Sequence, residues 1–343
     1  MTQILCVGDI HAMDKAPVNA AESYMDDIEE MLRWTIRLAA EEQYDAIVWA
    51  GDIFHHKAPS RTSHALVLRM IGIVQYAAEL GVELLAVTGN HDISNDVLTS
   101  IQEKQPLGVL YKAGLKELVG WHPRLPLFGV PWRQDWTTSE DSAWKAFEDW
   151  REPDINVRSR MRPKARLAVT HAPIYPPKEA ENIQWDLVPT RGKKGISYAM
   201  NGEGFLYYGH IHEDHGVFEV EGVTYANMGA ISRGSLHEYN VTREIKVALW
   251  DDHEEDGAPG APTPQPTFTE IVVPHKPASE VFKIAEAEEK KAERLSLDEF
   301  LSEIGSTTLD ISSTGSAIEH IRTRKDLPPR VKQTAIEILE EVQ

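Results

Sequence analysis

The sequence predicts an α/β (α+β) fold in which two packed, mixed β-sheets are flanked by helices and followed by a small helical region. Short apolar runs alternate with amphipathic stretches through the first half of the 343 residues. The second half carries mostly short apolar or alternating runs, which are typical of strands. Hydrophobic residues make up 42% of the chain, which is enough for the buried core that such layers share.

The first half predicts a β-α-β-α-β unit. Strands are expected at residues 4–7, 46–50 and 84–87, and helices at 24–42 and 63–80. The spacing between the strands leaves room for a crossover helix, which is the usual connection between parallel neighbours. We therefore expect parallel strands joined by helices.

The second half predicts further strands and one intervening helix. The strands are expected at residues 126–131, 165–170, 204–208, 216–220, 223–226, 244–250 and 268–273. The helix is expected at 139–150, and residues 219–224 are typical of a hairpin. Residues 251–266 are acidic and then rich in Pro, Gly and Ala, which predicts a surface loop or linker.

The character of the chain changes after residue 275. A charged helix is expected at 279–294, and a final helix at 331–342 begins near two prolines. We predict a catalytic domain at 1–275 and a C-terminal helical region at 276–343. The helices of that region either dock a partner helix or pack on the parent domain.

Composition narrows the class of protein. The formal net charge of −19 argues against a protein that coats nucleic acid non-specifically. No stretch approaches the ~20 apolar residues of a membrane span. The single cysteine, Cys6, cannot form an internal disulfide, and the N-terminus lacks the features of a secretion signal. We expect a cytoplasmic protein with no membrane partner.

One region departs from this acidic balance. Residues 151–194 contain ten basic residues against five acidic ones, a local balance of +5. Within it, Arg160, Arg162, Lys193 and Lys194 are candidates for contacting an anionic substrate such as a nucleic-acid backbone. The alternative is a solvated loop whose charges offset the acidic surface.

Five short polar motifs stand at the ends of predicted strands. They are GDIH at 8–11, GDIFH at 51–55, GNHD at 89–92, THA at 170–172 and GHIH at 209–212. Loops at the carboxyl ends of strands are where α/β sheets place their ligands. A Gly-Asp pair alone is also a common turn, and His210-Ile211-His212 alone also fits a polar strand edge. The recurrence of five such motifs favours a functional site.

The residue types in these motifs indicate a two-metal site. The candidate ligands are Asp9, His11, Asp52, Asn90, His171, His210 and His212. Imidazole and carboxylate donors suit Mn²⁺, Fe or Zn²⁺, and one bridging carboxylate can serve two ions. Two ions ~3.5–4 Å apart can clamp a phosphoryl group and activate a water.

These motifs resemble those of the calcineurin-like metallophosphoesterase superfamily, over roughly residues 1–250. Within it, the chain is most similar to the Mre11/SbcD nucleases of DNA double-strand-break repair. That second likeness is carried by GDIFH at 51–55, by KAPS at 57–60 and by residues 227–233, although MGA at 228–230 and HAP at 171–173 depart from the nuclease wording. The resemblance implies a four-layer sandwich of two sheets and their flanking helices.

The resemblance also implies how the ligands divide. Asp9, His11, Asp52 and His212 would hold the first ion, and Asp52, Asn90, His171 and His210 the second. Mn²⁺ is the expected metal, with Mg²⁺, Fe and Zn²⁺ as alternatives.

Three further residues receive roles beside the metals. A metal-bound hydroxide would attack the phosphodiester in line while His91 acts as general acid or stabilises charge on the phosphate. We expect Asp92 to orient the His91 ring. The resemblance implies that His55 helps place a DNA strand, and the alternative is a loop histidine packed near the site.

The function expected from these residues is that of a two-metal phosphodiesterase, a DNA exo- or endonuclease acting in repair or recombination. The alternative within the superfamily is a phosphoesterase for a small phosphodiester, a nucleotide or a phosphoprotein. A non-catalytic scaffold would predict decayed ligand positions, whereas all seven are intact. The resemblance further implies DNA as a partner, and raises a Rad50/SbcC-like coiled-coil ATPase and a homodimer as partners to test.

Overall fold

The computed structural model describes residues 2–93, 104–136, 138–139, 141–150, 166–181, 187–235, 238–252, 266–287 and 289, with short stretches at 321–323, 329–330, 332–334 and 336. The chain divides into two compact units, residues 1–281 and 282–343. The helix predicted at 331–342 and the linker predicted at 251–266 lie mostly outside the described residues. A catalytic domain that ends at 275, followed by a docking region, stays a prediction.

The first sheet is built on four parallel strands. The parallel strands are β1 (Gln3–Val7), β2 (Ala46–Trp49), β3 (Leu84–Ala86) and β4 (Lys116–Glu117). Two antiparallel strands, β11 (Lys246–Asp251) and β12 (Thr267–Val272), extend the sheet beside β1, which gives the order β12-β11-β1-β2-β3-β4. The runs predicted at 4–7, 46–50 and 84–87 are thus neighbouring parallel strands.

The second sheet has the order β5-β6-β7-β8-β10-β9. Its strands are β5 (Gly120–Trp121), β6 (Leu127–Val130), β7 (Leu167–His171), β8 (Phe205–Gly209), β9 (Asp214–Val220) and β10 (Val223–Met228). Strands β6, β7, β8 and β10 run parallel, and β9 and β10 form the predicted antiparallel hairpin. Both sheets are therefore mixed, and the predicted fold class is confirmed.

Helices flank the sheets. The longer ones are α1 (Tyr24–Glu41), α2 (His64–Glu79) and α3 (Pro106–Ala113), and the short ones are α4 (Ser142–Ala146), α5 (Pro177–Ala180), α6 (Ile196–Ala199), α7 (Glu238–Thr242) and α8 (Ala278–Val281). The side chain of Ser63 accepts a hydrogen bond from the Leu66 N–H at 3.1 Å, which caps α2. None of the described helices is long and apolar enough to cross a bilayer.

One hydrophobic core lies between the two sheets. Cys6 and Val48 of the first sheet share one buried cluster with Val169 and Tyr207 of the second. Burial on both sheet faces explains why these strands read as continuous apolar runs rather than alternating ones. The packing of the two sheets brings the carboxyl ends of their parallel strands together.

Candidate metal centre

Both sheets place their polar motifs at one edge. Asp9 follows β1, Asp52 follows β2 and Asn90 follows β3, and these three strands are parallel neighbours. His171 ends β7, and His210 directly follows the parallel strand β8. The carboxyl ends of parallel strands meet at one edge of a sheet, and here two such edges face each other.

The backbone around this edge is strained. His11, Asp52 and His210 adopt left-handed conformations with φ of 49°, 48° and 85°. Each such residue costs ~1–3 kcal/mol, so packing and hydrogen bonds must hold it. Gly89 allows part of this packing, because a Cβ at that position would overlap the Asp52 carboxylate. Backbone strain at three residues whose side chains lie close together indicates a functional site.

The first group of candidate ligands joins the two sheets. The Nε2 atoms of His11 and His212 lie 2.9 Å apart. The Oδ2 atom of Asp9 lies 3.4 Å from Nε2 of His212 and 3.8 Å from Nε2 of His11. One donor atom from each of these three side chains falls within 4.8 Å of the others. Asp9 and His11 are buried, whereas the side chain of His212 is 50% exposed.

The second group is more enclosed. The Oδ1 atom of Asn90 lies 2.9 Å from Nε2 of His171 and 2.9 Å from Nδ1 of His210. Asp52, His171 and His210 also place one donor atom each within 4.8 Å of one another. The ring of His210 packs on Trp132 with a centroid separation of 4.9 Å, and this contact was not anticipated from the sequence.

Asp52 faces both groups. Its Oδ2 atom lies 3.6 Å from Nε2 of His11, and its Oδ1 atom lies 3.4 Å from Nε2 of His171. The Oδ1 atom also accepts the His91 backbone N–H at 2.7 Å. One carboxylate thus presents a different oxygen to each group, which is the arrangement that a bridging ligand needs.

Burial and charge set the protonation of these groups. Burial lowers the pKa of His11 and of His210 to about 4, so both rings are neutral at neutral pH. Burial also acts to lower the pKa of His171, but the negative charges of Asp52 and Asp9 outweigh it and raise the pKa to about 9. For Asp52, burial acts to raise the pKa, but the charge of His171 prevails and holds it well below the usual range.

The donor set fits a cation. The Nδ1–H of His171 donates to the Ala50 carbonyl at 2.8 Å, so Nε2 is the ring nitrogen that faces the oxygens of Asn90 and Asp52. Such electron-rich atoms stay close only if a proton or a cation lies among them. Atoms that each lie ~2.0–2.2 Å from one ion sit about 3 Å apart, which agrees with the separations in both groups.

His91 and His55 stand next to these ligands. The Nδ1–H of His91 donates to the His55 carbonyl at 2.6 Å, and the two rings stack with centroids 5.6 Å apart. Their rings also approach the ring of His11, at 5.0 Å for His91 and 5.4 Å for His55. The structure therefore brings both predicted residues to the centre.

Asp92 has a different role from the one expected. Its carboxylate accepts the backbone N–H groups of Ile53 at 3.0 Å, Phe54 at 3.2 Å and Gly89 at 3.0 Å, whereas the His91 ring is held by His55. The expectation that Asp92 orients His91 is wrong. The Asp92 carboxylate instead accepts hydrogen bonds from both the loop after β2 and the loop after β3, and so connects them. Burial and the charge of Asp52 raise the pKa of Asp92 to about 7, against the effect of the three N–H donors.

A cleft opens onto these residues. It has a volume of about 370 Å³, and its walls include Asp52, Asn90, His91, His210 and His212. The cleft is also lined by Tyr175 and Glu213, which the sequence motifs did not indicate. The Tyr175 hydroxyl donates to the Glu213 carboxylate over 3.5 Å.

Comparison with known families agrees with this geometry. Residues 2–214 match the model of the calcineurin-like phosphoesterase family, which is more than half of the chain. The chain belongs to the calcineurin-like phosphoesterase family. The superfamily predicted from the five motifs is thereby confirmed, and the His and Asp groups of this phosphoesterase are able to hold divalent metal.

One curated relative is the DNA double-strand break repair protein Mre11 of Aeropyrum pernix. The phosphoesterase is 28% identical to it over 123 residues, which is 34% of this chain and 29% of the relative. The chain therefore matches less than a third of the length of that protein. A solved structure at 13% identity superposes with a TM-score of 0.44 over 79% of this chain and 99% of its own.

The predicted basic residues are placed less fully. Arg160 and Arg162 lie outside the described residues. Lys193 and Lys194 are exposed on the turn before α6, and neither lines the cleft. Their role in binding substrate stays a prediction.

Proposed function

We propose that this phosphoesterase hydrolyses phosphodiester bonds with two divalent ions. The observation that carries the proposal is the position of Asp52, whose two oxygens each face a different ligand group beside one cleft. Asp9, His11, Asp52 and His212 would hold one ion, and Asp52, Asn90, His171 and His210 the other. Such ions polarise a phosphoryl oxygen and activate water. Mn²⁺ is the proposed metal, with Mg²⁺, Fe and Zn²⁺ as alternatives.

We assign proton transfer at the leaving oxygen to His91. Because its Nδ1–H is bound to the His55 carbonyl, Nε2 is the ring nitrogen that can meet a substrate in the cleft. A protonated Nε2 would donate to the leaving oxygen or to a phosphoryl oxygen. His55 fixes the His91 ring through its carbonyl, and its own imidazole would contact the strand of the substrate.

DNA is the proposed substrate, cut as in nucleases of the Mre11/SbcD type during repair or recombination. The likeness to the Aeropyrum pernix Mre11 protein supports this choice, as does the position of His55 beside His91. Arg160, Arg162, Lys193 and Lys194 are proposed to contact the DNA backbone. We further propose a cytoplasmic location, with a Rad50/SbcC-like ATPase or a second copy of the chain as partners.

The acidic surface favours a second candidate. With a net charge of −19, the protein repels a polyanion outside local basic regions. A small phosphodiester, a nucleotide or a phosphoprotein would approach the cleft against less repulsion.

Cleavage of end-labelled single- and double-stranded DNA with Mn²⁺ and with EDTA tests the proposal. Variants Asp52→Ala and His91→Ala would be compared with His64→Ala, which removes an exposed imidazole at the start of α2. Manganese-dependent DNA cleavage that only the first two variants lose supports the nuclease. If the protein hydrolyses bis-p-nitrophenyl phosphate but leaves DNA intact, the second candidate is supported. If it hydrolyses neither substrate, the proposed activity is contradicted.

A further inference from the structure

A second cavity adjoins the metal cleft. It has a volume of about 250 Å³ and shares one wall residue, Tyr175, with the cleft. Its other walls are mainly apolar and include Ala180, Leu187 and Val188. Because Tyr175 lines both spaces, a substrate bound by its phosphate in the cleft can extend past this ring into the cavity.

The position of Tyr175 is fixed from two sides. Its hydroxyl donates to Glu213 over 3.5 Å, and its ring packs on His215 with a centroid separation of 4.6 Å. His215 is held in turn by Tyr208, whose hydroxyl lies 2.7 Å from Nδ1 of His215. Tyr175 is 6% exposed, so it offers the cavity a small part of a fixed ring against which the edge of a planar group can pack.

The walls of the cavity include one basic residue. This residue is Arg191, and Lys193 and Lys194 follow on the same turn, although Glu181 also contributes to the walls. This turn is ordered by the Gly192 N–H, which donates to the Glu221 carboxylate at 3.1 Å, and by the Gly195 N–H, which donates to the Gly192 carbonyl at 2.9 Å. A guanidinium group at the wall of an apolar cavity suits an organic group that carries a further phosphate.

We propose that this cavity is the subsite for the nucleoside that flanks the scissile phosphate, with its base packed between Tyr175 and the apolar walls. Arg191 then faces the next phosphate along the chain. This assignment rests on the proposed function and deepens it, because it makes the substrate a nucleoside phosphodiester rather than a simple alkyl diester. Bases of any identity stack on aromatic rings, so the subsite is expected to bind nucleosides without strong sequence preference.

Binding of adenosine to EDTA-treated full-length protein tests the subsite without any activity assay. Ligand-observed NMR would compare wild type with Ala180→Trp, which fills the cavity, and with Ala78→Trp, a matched change on the exposed face of α2. We expect Ala180→Trp to weaken adenosine binding about tenfold, in line with the loss of one stacking contact. Ala78→Trp should bind adenosine as wild type does. Methyl riboside, which lacks the base, should bind more weakly than adenosine to wild type.

A second variant covers the case in which Ala180→Trp fails to fold. Arg191→Gln changes an exposed wall residue and is expected to weaken binding of adenosine 3′,5′-bisphosphate, which has a phosphate on each side of the nucleoside, more strongly than it weakens binding of adenosine. Equal binding of adenosine by wild type and a folded Ala180→Trp protein, or no binding to wild type, would overturn the subsite. So would equal binding of the bisphosphate by wild type and Arg191→Gln.

The binding test of the subsite and the cleavage test of the proposed phosphodiesterase can fail independently. A protein that binds adenosine in this cavity but cleaves neither DNA nor bis-p-nitrophenyl phosphate refutes the proposed function and leaves the subsite in place. A protein that cleaves diesters but fails to bind adenosine refutes the subsite alone.

Discussion

Two buried clusters of charge in this protein are balanced in different ways. Asp27, on α1, is 2% exposed and accepts a hydrogen bond from Arg233 at 2.9 Å and from the Lys276 N–H at 3.1 Å. Asp9 and Asp52 are as deeply buried, yet in the described part of the chain their ion-pair partners are histidines. The first cluster carries its own permanent cation.

The difference shows what each cluster is for. A buried carboxylate is costly unless a positive charge compensates for it. Arg233 provides that charge permanently, so the Asp27 carboxylate is compensated without a bound metal. The imidazoles of His11 and His210 are neutral and provide lone pairs instead. The negative charges of Asp9 and Asp52 are therefore compensated by a proton on His171 or by bound metal. The centre is arranged to accept cations.

Replacement of Asp52 by asparagine is the change with the largest expected effect. The variant keeps the shape but loses the charge that faces both ligand groups, so phosphodiester hydrolysis should fall by ~10³-fold or more. The bound metal, measured by mass spectrometry of the purified protein, should fall in parallel.

Asp45→Asn is the matched control, because Asp45 is an exposed aspartate away from the cleft. Its activity and metal content should equal those of wild type. An Asp52→Asn protein that retains both metals and full activity would contradict the bridging role.

Disruption of the other cluster should affect stability instead. Arg233→Met leaves Asp27 buried without its cation, and we expect a loss of ~3–5 kcal/mol in the free energy of unfolding, measured with urea. The double variant Asp27→Asn, Arg233→Met should recover part of the loss. A destabilisation below ~1 kcal/mol would mean that the pair is not the fixed structural element that its geometry indicates.

Added Mn²⁺ distinguishes the two clusters directly. A ligand that binds only the folded state at a hundred times its Kd stabilises that state by ~2–3 kcal/mol. We expect such a gain for wild type and for Arg233→Met, but not for Asp52→Asn. Equal thermal shifts in all three proteins would place the Mn²⁺ site elsewhere.

The convergence of the candidate ligands could be predicted from the sequence because its signals are local. Asp9, Asp52 and Asn90 each follow a short apolar run, and parallel strands carry their ends to one edge. The contacts of Asp92 were not predictable in this way, since Ile53 and Phe54 belong to a loop 39 and 38 residues earlier in the sequence. Only the packing of the strands brings these groups together.

Other features escaped prediction for reasons of length. Strands β4 and β5 have two residues each, which is too short to show any periodicity. Helix α3 did leave a signal, with Pro106 at its first turn and Gly114 just after its end. The wall formed by Tyr175 and Glu213 left none, because the two residues lie 38 positions apart in irregular segments.

The smallest expected effect concerns a third, partly exposed cluster. Glu83 accepts hydrogen bonds from Lys116 and Arg124, both at 2.5 Å, and lies 3.5 Å from His122. Burial acts to raise the pKa of Glu83, but its basic neighbours outweigh it and hold the pKa below its usual range. The stability that Glu83 contributes is therefore present above its ordinary pKa and is lost as the pH falls through the lowered value.

Glu83→Gln should accordingly be less stable than wild type at neutral pH and converge with it in acid. Thermal melts from pH 7 down to pH 3 measure this convergence, with the exposed Glu79→Gln as control. Because the group is close to solvent, the difference at neutral pH should be at most ~1 kcal/mol. A gap that widens on acidification would reverse the assigned sign. A loss of stability as large as that of Arg233→Met would mean that the partly exposed and the buried ion pairs do not differ in strength.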